Sequence, residues 1–279
     1  MAYTAEINRE HPTCIVFVID QSTSMSYLLE TGRSKAAFVA DVLNKTLYTL
    51  ITLCTKADGI RDYFHLGVVA YSGTEARNGF QGSLGSKVLN PISMVANNPV
   101  RVEDRIRKVK TEGGEIIEQH TKFPIWFDPR AQGKTSMCAG LALGARIVRD
   151  WSLLHSQGFP PTVIHVTDGH PTDGDPEIVA DSIKAVLTED GSCLLFNLHV
   201  DIGSGRPLLF PESAAVLPDR YAATLFCMSS KLPPHALAAA ASKGYPVTEG
   251  SRGFVFNASP EAIVDFFEVG TRPMRVSGR

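Results

Sequence analysis

The sequence predicts an α/β protein: one domain built on a mostly parallel sheet with helices on both faces. Strand-length apolar runs at Cys14–Ile19, Tyr63–Tyr71, Val163–Thr167 and Cys193–Val200 alternate with helix-length amphipathic stretches, the order that a parallel sheet with crossover helices requires. The run Cys14-Ile-Val-Phe-Val-Ile-Asp20 is apolar on both faces, as a buried strand is. A chain of 279 residues, 44% of them hydrophobic, can fill a large core. The expected boundaries are an N-terminal extension over 1–12, a single domain over 13–270 with insertions near 72–98 and 201–219, and a tail over 271–279.

Along the chain, Val39, Leu43, Leu47, Leu50 and Cys54 recur every three or four residues and predict a helix over Ser34–Cys54. The Tyr63–Tyr71 strand is followed by 72–98, rich in Gly, Ser and Asn, which reads as a loop or hairpin insertion. A short helix is expected around Glu103–Lys110, an extended stretch over Glu115–Phe127, and a long helix over Met137–Leu154. Asp175 before Pro176 marks a capped helix start, since proline is tolerated where no amide hydrogen is needed; Ile178 to Leu187 supplies that helix's apolar face. The 201–219 region, with Gly203 and Gly205, reads as loop. Leu225–Met228 is expected to resume the sheet, His235–Ser242 to be helical, and Ile263–Phe267 to lie in a closing helix opened by Ser259-Pro260-Glu261.

A net charge of −2 offers no global field to draw nucleic acid or an anionic membrane, so neither is an expected partner. The five cysteines, Cys14, Cys54, Cys138, Cys193 and Cys227, are widely spaced without a C-x-x-C pair. Neither a disulfide framework nor a thiolate zinc site is indicated, and reduced thiols fit a cytoplasmic location. The first apolar run ends at Asp20, and no stretch approaches the ~18 apolar residues of a spanning helix.

The chemistry gathers at predicted strand ends, where sites in such sheets lie. Asp20, Ser22 and Ser24 stand at alternate positions after the first strand. Gly133-Lys-Thr135-Ser136 follows Ile125-Trp-Phe127, and Thr167-Asp168-Gly169 closes Val163–Val166. All offer hard oxygen donors. Ser22 and Ser24 can share one small cation, Thr135 can add a third hydroxyl, and Asp20 and Asp168 supply charge through metal-bound waters, because Mg²⁺ demands octahedral oxygen and keeps its waters. Mn²⁺ and Ca²⁺ are alternatives. An ion held by so few protein anions stays electrophilic and can accept a carboxylate from another molecule.

This Asp-x-Ser-x-Ser, Thr-loop, Asp-Gly-loop series resembles the metal-ion-dependent adhesion site of von Willebrand factor type A (vWA) domains, from about Thr13 to at least Val200. Leu225-Phe-Cys-Met-Ser-Ser with Leu232-Pro233 is similar to the tail of stand-alone bacterial members, including TerY-type proteins. The resemblance implies a Rossmann-like domain in which Ser22, Ser24 and Thr135 touch the ion while Asp20 and Asp168 act mainly through water. It implies a metal-dependent protein–protein interaction module rather than an enzyme. It further implies a bacterial stress-response or defence setting, with a kinase, phosphatase or ATPase of the same operon as partner. Thr23 stands where many members have glycine, and Lys134 sits beside Thr135.

Two alternatives stay open. Gly133-Lys134-Thr135 with Asp168 imitates a P-loop nucleotide-binding enzyme, although Asp128 occupies the place of that motif's first glycine and Pro129 lacks an amide donor. The other is a scaffold with a vestigial metal site. An aspartyl phosphotransfer centre is disfavoured because Ser22 stands where a second acid is expected, and a serine-hydrolase elbow is absent. Asp173 and Asp175 lack the spacing of an EF-hand. His170 can line the rim, while His65, His165, His199, Trp126 and Trp151 read as packed residues.

Overall fold

A computed structural model of the chain describes residues 3–110, 116–200, 207–257 and 260–271. The main-chain run that ends in the candidate site is strand β1 (Thr13–Asp20), every residue of which is buried. Ser34 caps helix α1 (Lys35–Cys54) by accepting the Ala37 amide, and β2 (Phe64–Ser72) then returns parallel to β1. Strands β3 (Glu75–Asn78) and β4 (Leu89–Pro91) fold back antiparallel on β2, with α2 (Ile92–Asn97) after them. The 72–98 segment is therefore an edge of the main sheet as well as a hairpin excursion.

Among the described residues, strands β5 (Arg101–Lys110) and β6 (Ile116–Ile125) pair only with each other, antiparallel, as a two-stranded ribbon outside the main sheet. Next come α3 (Met137–Leu154), β7 (Thr162–Thr167), α4 (Pro176–Lys184) and β8 (Leu194–His199). The chain closes with β9 (Leu208–Leu209), α5 (Arg220–Met228), α6 (Pro234–Ser242), β10 (Phe254–Phe256) and α7 (Pro260–Thr271).

The eight-stranded sheet runs β9-β10-β8-β7-β1-β2-β3, with β4 also on β2. The five inner strands are parallel, and β3, β4 and β9 are antiparallel at the edges. Alternation along β1 divides the core. Ile15, Phe17 and Ile19 pack with α1, α2, α6 and α7, and Cys14, Val16 and Val18 with α3, α4 and α5, as the period-two geometry of a strand demands. The result is a mixed α/β architecture with a mostly parallel central sheet flanked by helices.

Two expected elements change type. Arg101–Lys110 is a strand, not a helix. Val102, Ile106 and Val109 satisfy a helical spacing, but every residue of the stretch pairs with a partner in Ile116–Ile125, a non-local match that overrides local pattern. Leu225–Met228 belongs to α5, not the sheet, because Asp219 accepts the Ala222 amide and starts a helix that carries this run into the core; an apolar run this short does not separate strand from buried helix. The strand position falls instead to Phe254–Phe256. The expected residues Gly203, Gly205 and Ser259 lie outside the described residues. Helix α1 is, by length and composition, apolar enough over 18 residues to cross a bilayer, and half of that window is buried in the fold. All five cysteines are free thiols.

One polar chain crosses the core. Asn197 donates its amide to Ser229 Oγ at 2.9 Å, so its Oδ1 faces His165 Nδ1 at 2.8 Å. His165 therefore carries its proton on Nδ1 and accepts the Tyr71 hydroxyl on Nε2 at 2.9 Å. Burial pushes the imidazole down from 6.5 to about 4. Since the unfolded histidine protonates at higher pH, the stability that this neutral group provides is complete above about 6.5 and is lost as pH falls towards 4. His165→Gln is thus expected to destabilise more at pH 7 than at pH 4.5, by roughly 2 kcal/mol, in paired urea titrations of both proteins.

Candidate metal site

The parallel register carries Asp20 at the end of β1 beside Tyr71 of β2 and near the end of β7. Asp20 is 1% exposed. Its Oδ1 accepts the Ser22 amide at 2.7 Å, closing the Asx turn that throws Ser22 and Ser24 to one side, and its Oδ2 accepts the Thr167 hydroxyl at 2.7 Å. Burial nevertheless pushes its carboxyl up from 3.8 to about 6, more than these bonds pull it down, with Asp168 adding to the rise. Asp20 is therefore a structural brace that orients the loop.

Ser22 Oγ and Ser24 Oγ stand 3.1 Å apart. Two oxygens bound side by side to an octahedral Mg²⁺ at about 2.1 Å would be about 3.0 Å apart. Ser24 Oγ also donates to Asp168 Oδ1 at 2.6 Å. A Cβ placed on Gly169 would lie 3.2 Å from Thr135 Oγ1 and 3.5 Å from Ser24 Oγ, so Thr135 and Ser24 converge from different loops on the same small space, kept open by the glycine. All five expected residues thus meet at one end of the parallel sheet. Among the described residues no group of three or more His, Cys, Asp or Glu is placed to hold a metal. An ion here would rest on hydroxyl oxygens, with the two carboxylates behind them, and the spacing of Ser22 and Ser24 fits a small hard cation.

The loops are tied to one another through their backbones. The Gln132 amide donates to Gln21 O at 2.8 Å, the Thr23 amide to Gly133 O at 2.9 Å, the Gly73 amide to Lys134 O at 2.8 Å and the Thr172 amide to Thr135 O at 2.9 Å. Gly133 lies at φ +81, and a Cβ there would sit 2.9 Å from the Gly73 nitrogen, so this crossing requires glycine. Thr23, where glycine was expected from the resemblance, uses its hydroxyl to donate to Gly133 O at 3.1 Å and adds a link that glycine lacks.

Three further residues shape the site without a signal in the sequence. Lys35 places Nζ 2.9 Å from Asp168 Oδ2 in a pair that is almost wholly buried. Asn44 of α1 accepts the Trp126 amide at 2.8 Å and donates to Phe127 O at 2.8 Å, anchoring the chain just before the Thr135 loop. The Tyr221 hydroxyl donates to Gly169 O, and its ring lies 4.1 Å from that of His170 at the rim. Helix α3 is not capped by Thr135: Asp173 accepts the Cys138 and Ala139 amides at 3.1 and 2.9 Å. Asp175 caps α4, as expected.

No family model matches the chain, and neither does any curated protein. Among solved structures it is similar to proximal thread matrix protein 1 from the mussel byssus, at 18% identity over 79% of this chain and 42% of that one, with a TM-score of 0.42. It is also similar to the PilB minor pilin of Streptococcus sanguinis, at 14% identity over 57% of this chain and 30% of that one, with a TM-score of 0.32. The chain thus spans less than half the length of either.

Proposed function

We propose that the protein is a metal-dependent protein–protein interaction module of the vWA type, in which Ser22, Ser24 and Thr135 hold a Mg²⁺-class ion and a partner's Asp or Glu completes its coordination. The observation that carries this reading is the convergence of three hydroxyls from two loops, two of them 3.1 Å apart, in front of Asp20 and of Asp168 on a third loop. The ion would supply Lewis acidity toward a carboxylate; the chain's own residues fix where that carboxylate docks. Asp20 sets the turn, Asp168 orients Ser24, and Gly169 keeps the approach open. The proposed setting is a bacterial stress-response or defence system, with an operon-encoded kinase, phosphatase or ATPase as partner, in the cytoplasm.

The nucleotide alternative has less support. In a P-loop the strand before the phosphate loop belongs to the parallel sheet, whereas β6 pairs with β5 in a separate two-stranded ribbon. The Lys134 carbonyl is also engaged by the Gly73 amide. The test is calorimetry on chelator-stripped protein with Mg²⁺ and Mn²⁺, followed by ATP. Wild type is expected to bind the ions, Ser22→Ala to lose at least tenfold in affinity, Lys134→Ala to change little, and ATP to give no heat. Absence of ion binding by wild type would remove the reading, and ATP binding that needs Lys134 would replace it.

A further inference from the structure

Asp168 serves two partners at once. Oδ1 accepts the Ser24 hydroxyl at 2.6 Å, and Oδ2 meets the Lys35 ammonium at 2.9 Å, with the two side chains 0% and 4% exposed. Lys35 is the first residue of α1, and a helix N-terminus repels a cation. Local helix energetics therefore do not account for the inward turn of this side chain; the carboxylate of Asp168 does. Among the described residues the buried centre holds two carboxylates, Asp20 and Asp168, and Lys35 lies against the second of them.

We propose that Lys35 is a built-in counter-cation of the ion site. It holds down affinity for the bare divalent ion and adds to the loaded centre a positive charge that a partner's carboxylate offsets. This rests on the ion-binding reading above and adds the charge logic of partner selection. The ammonium and the ion both draw on Asp168 within a buried, weakly screened pocket, so each disfavours the other. An arriving carboxylate relieves both. By linkage, the factor by which it tightens the ion is the factor by which the ion tightens it. Lys35 thereby makes ion and acidic partner bind together instead of in sequence.

The experiment is calorimetric titration of Mn²⁺ into the chelator-stripped full chain, in chloride and in acetate at equal ionic strength, for wild type, Lys35→Met, Lys35→Arg and Ser22→Ala. Lys35→Met is expected to bind Mn²⁺ at least tenfold more tightly than wild type in chloride, and Lys35→Arg within about threefold of wild type. Acetate is expected to tighten Mn²⁺ on wild type more than on Lys35→Met. If Lys35→Met binds no more tightly than wild type while Ser22→Ala abolishes binding, the ion site stands and the role of Lys35 falls. If no variant binds Mn²⁺, both fall. Should stripped Lys35→Met be unfolded, the rise of its melting temperature with Mn²⁺ reports the same affinity; a rise no larger than that of wild type overturns the proposal.

Discussion

Asp168→Ala is expected to lower unfolding free energy by about 3–5 kcal/mol, because it removes one partner of a buried ion pair and leaves the Lys35 ammonium without this carboxylate. The side chains of this pair are 4% and 0% exposed, unlike pairs such as Lys122–Asp104, which are mostly in solvent and would change stability by less than about 1 kcal/mol. The same substitution removes the acceptor that orients the Ser24 hydroxyl, so ion binding is expected to vanish with it. Urea unfolding of Asp168→Ala, Lys35→Met and the double variant checks this as a cycle. Because removing both charges leaves no uncompensated ion, the double variant is expected to recover much of the loss. A single-variant loss below about 1 kcal/mol would show that the Lys35 ammonium does not depend on Asp168 for its compensation.

Gly140→Val carries the second large effect. A Cβ on Gly140 would lie 2.3 Å from Tyr71 Cδ1 and 2.8 Å from its Cγ. The Tyr71 ring cannot retreat cheaply: it is fully buried, and its hydroxyl donates to His165 Nε2 at 2.9 Å. Overpacking of about 1–3 kcal/mol then adds to the cost of an unpaired buried group, about 1–3 kcal/mol, for an expected loss of about 4 kcal/mol in denaturant titrations. Because the Tyr71 carbonyl accepts the Gln21 amide, one residue from Asp20, ion affinity is expected to fall as well. Gly144→Ala is the control: its Cβ would meet one methyl of Val18 at 3.2 Å, a contact that a small shift relieves.

The sequence makes legible those parts of the site where chemistry and local geometry coincide. An apolar run that ends in Asp20, Ser22 and Ser24 announces both a strand and its functional end, and Asp175-Pro176 announces a helix start by stereochemistry alone. Lys35 is invisible by the same logic. It sits in a stretch that reads as an ordinary helix, and its partner Asp168 is 133 positions away, so only the folded sheet brings the two charges together. Asn44 is hidden likewise, as a polar residue in an apolar helix whose partners at Trp126 and Phe127 are supplied by tertiary packing. The 101–110 strand and the 225–228 helix turned on pairing and packing that no local pattern encodes.

The backbone hydrogen bonds that lace Gln21, Thr23, Gly73 and Thr135 to facing loops carry a kinetic consequence. Because the loops are braced against one another, their donor oxygens are held in place by backbone hydrogen bonds. Little chain entropy is left to lose when one arrives. On the proposed reading, the rate of loading would then be governed by how fast the ion sheds its own water rather than by any rearrangement of the protein. Mg²⁺, which dehydrates reluctantly, would enter this socket more slowly than a softer-hydrated ion of the same charge, while both found the same geometry waiting.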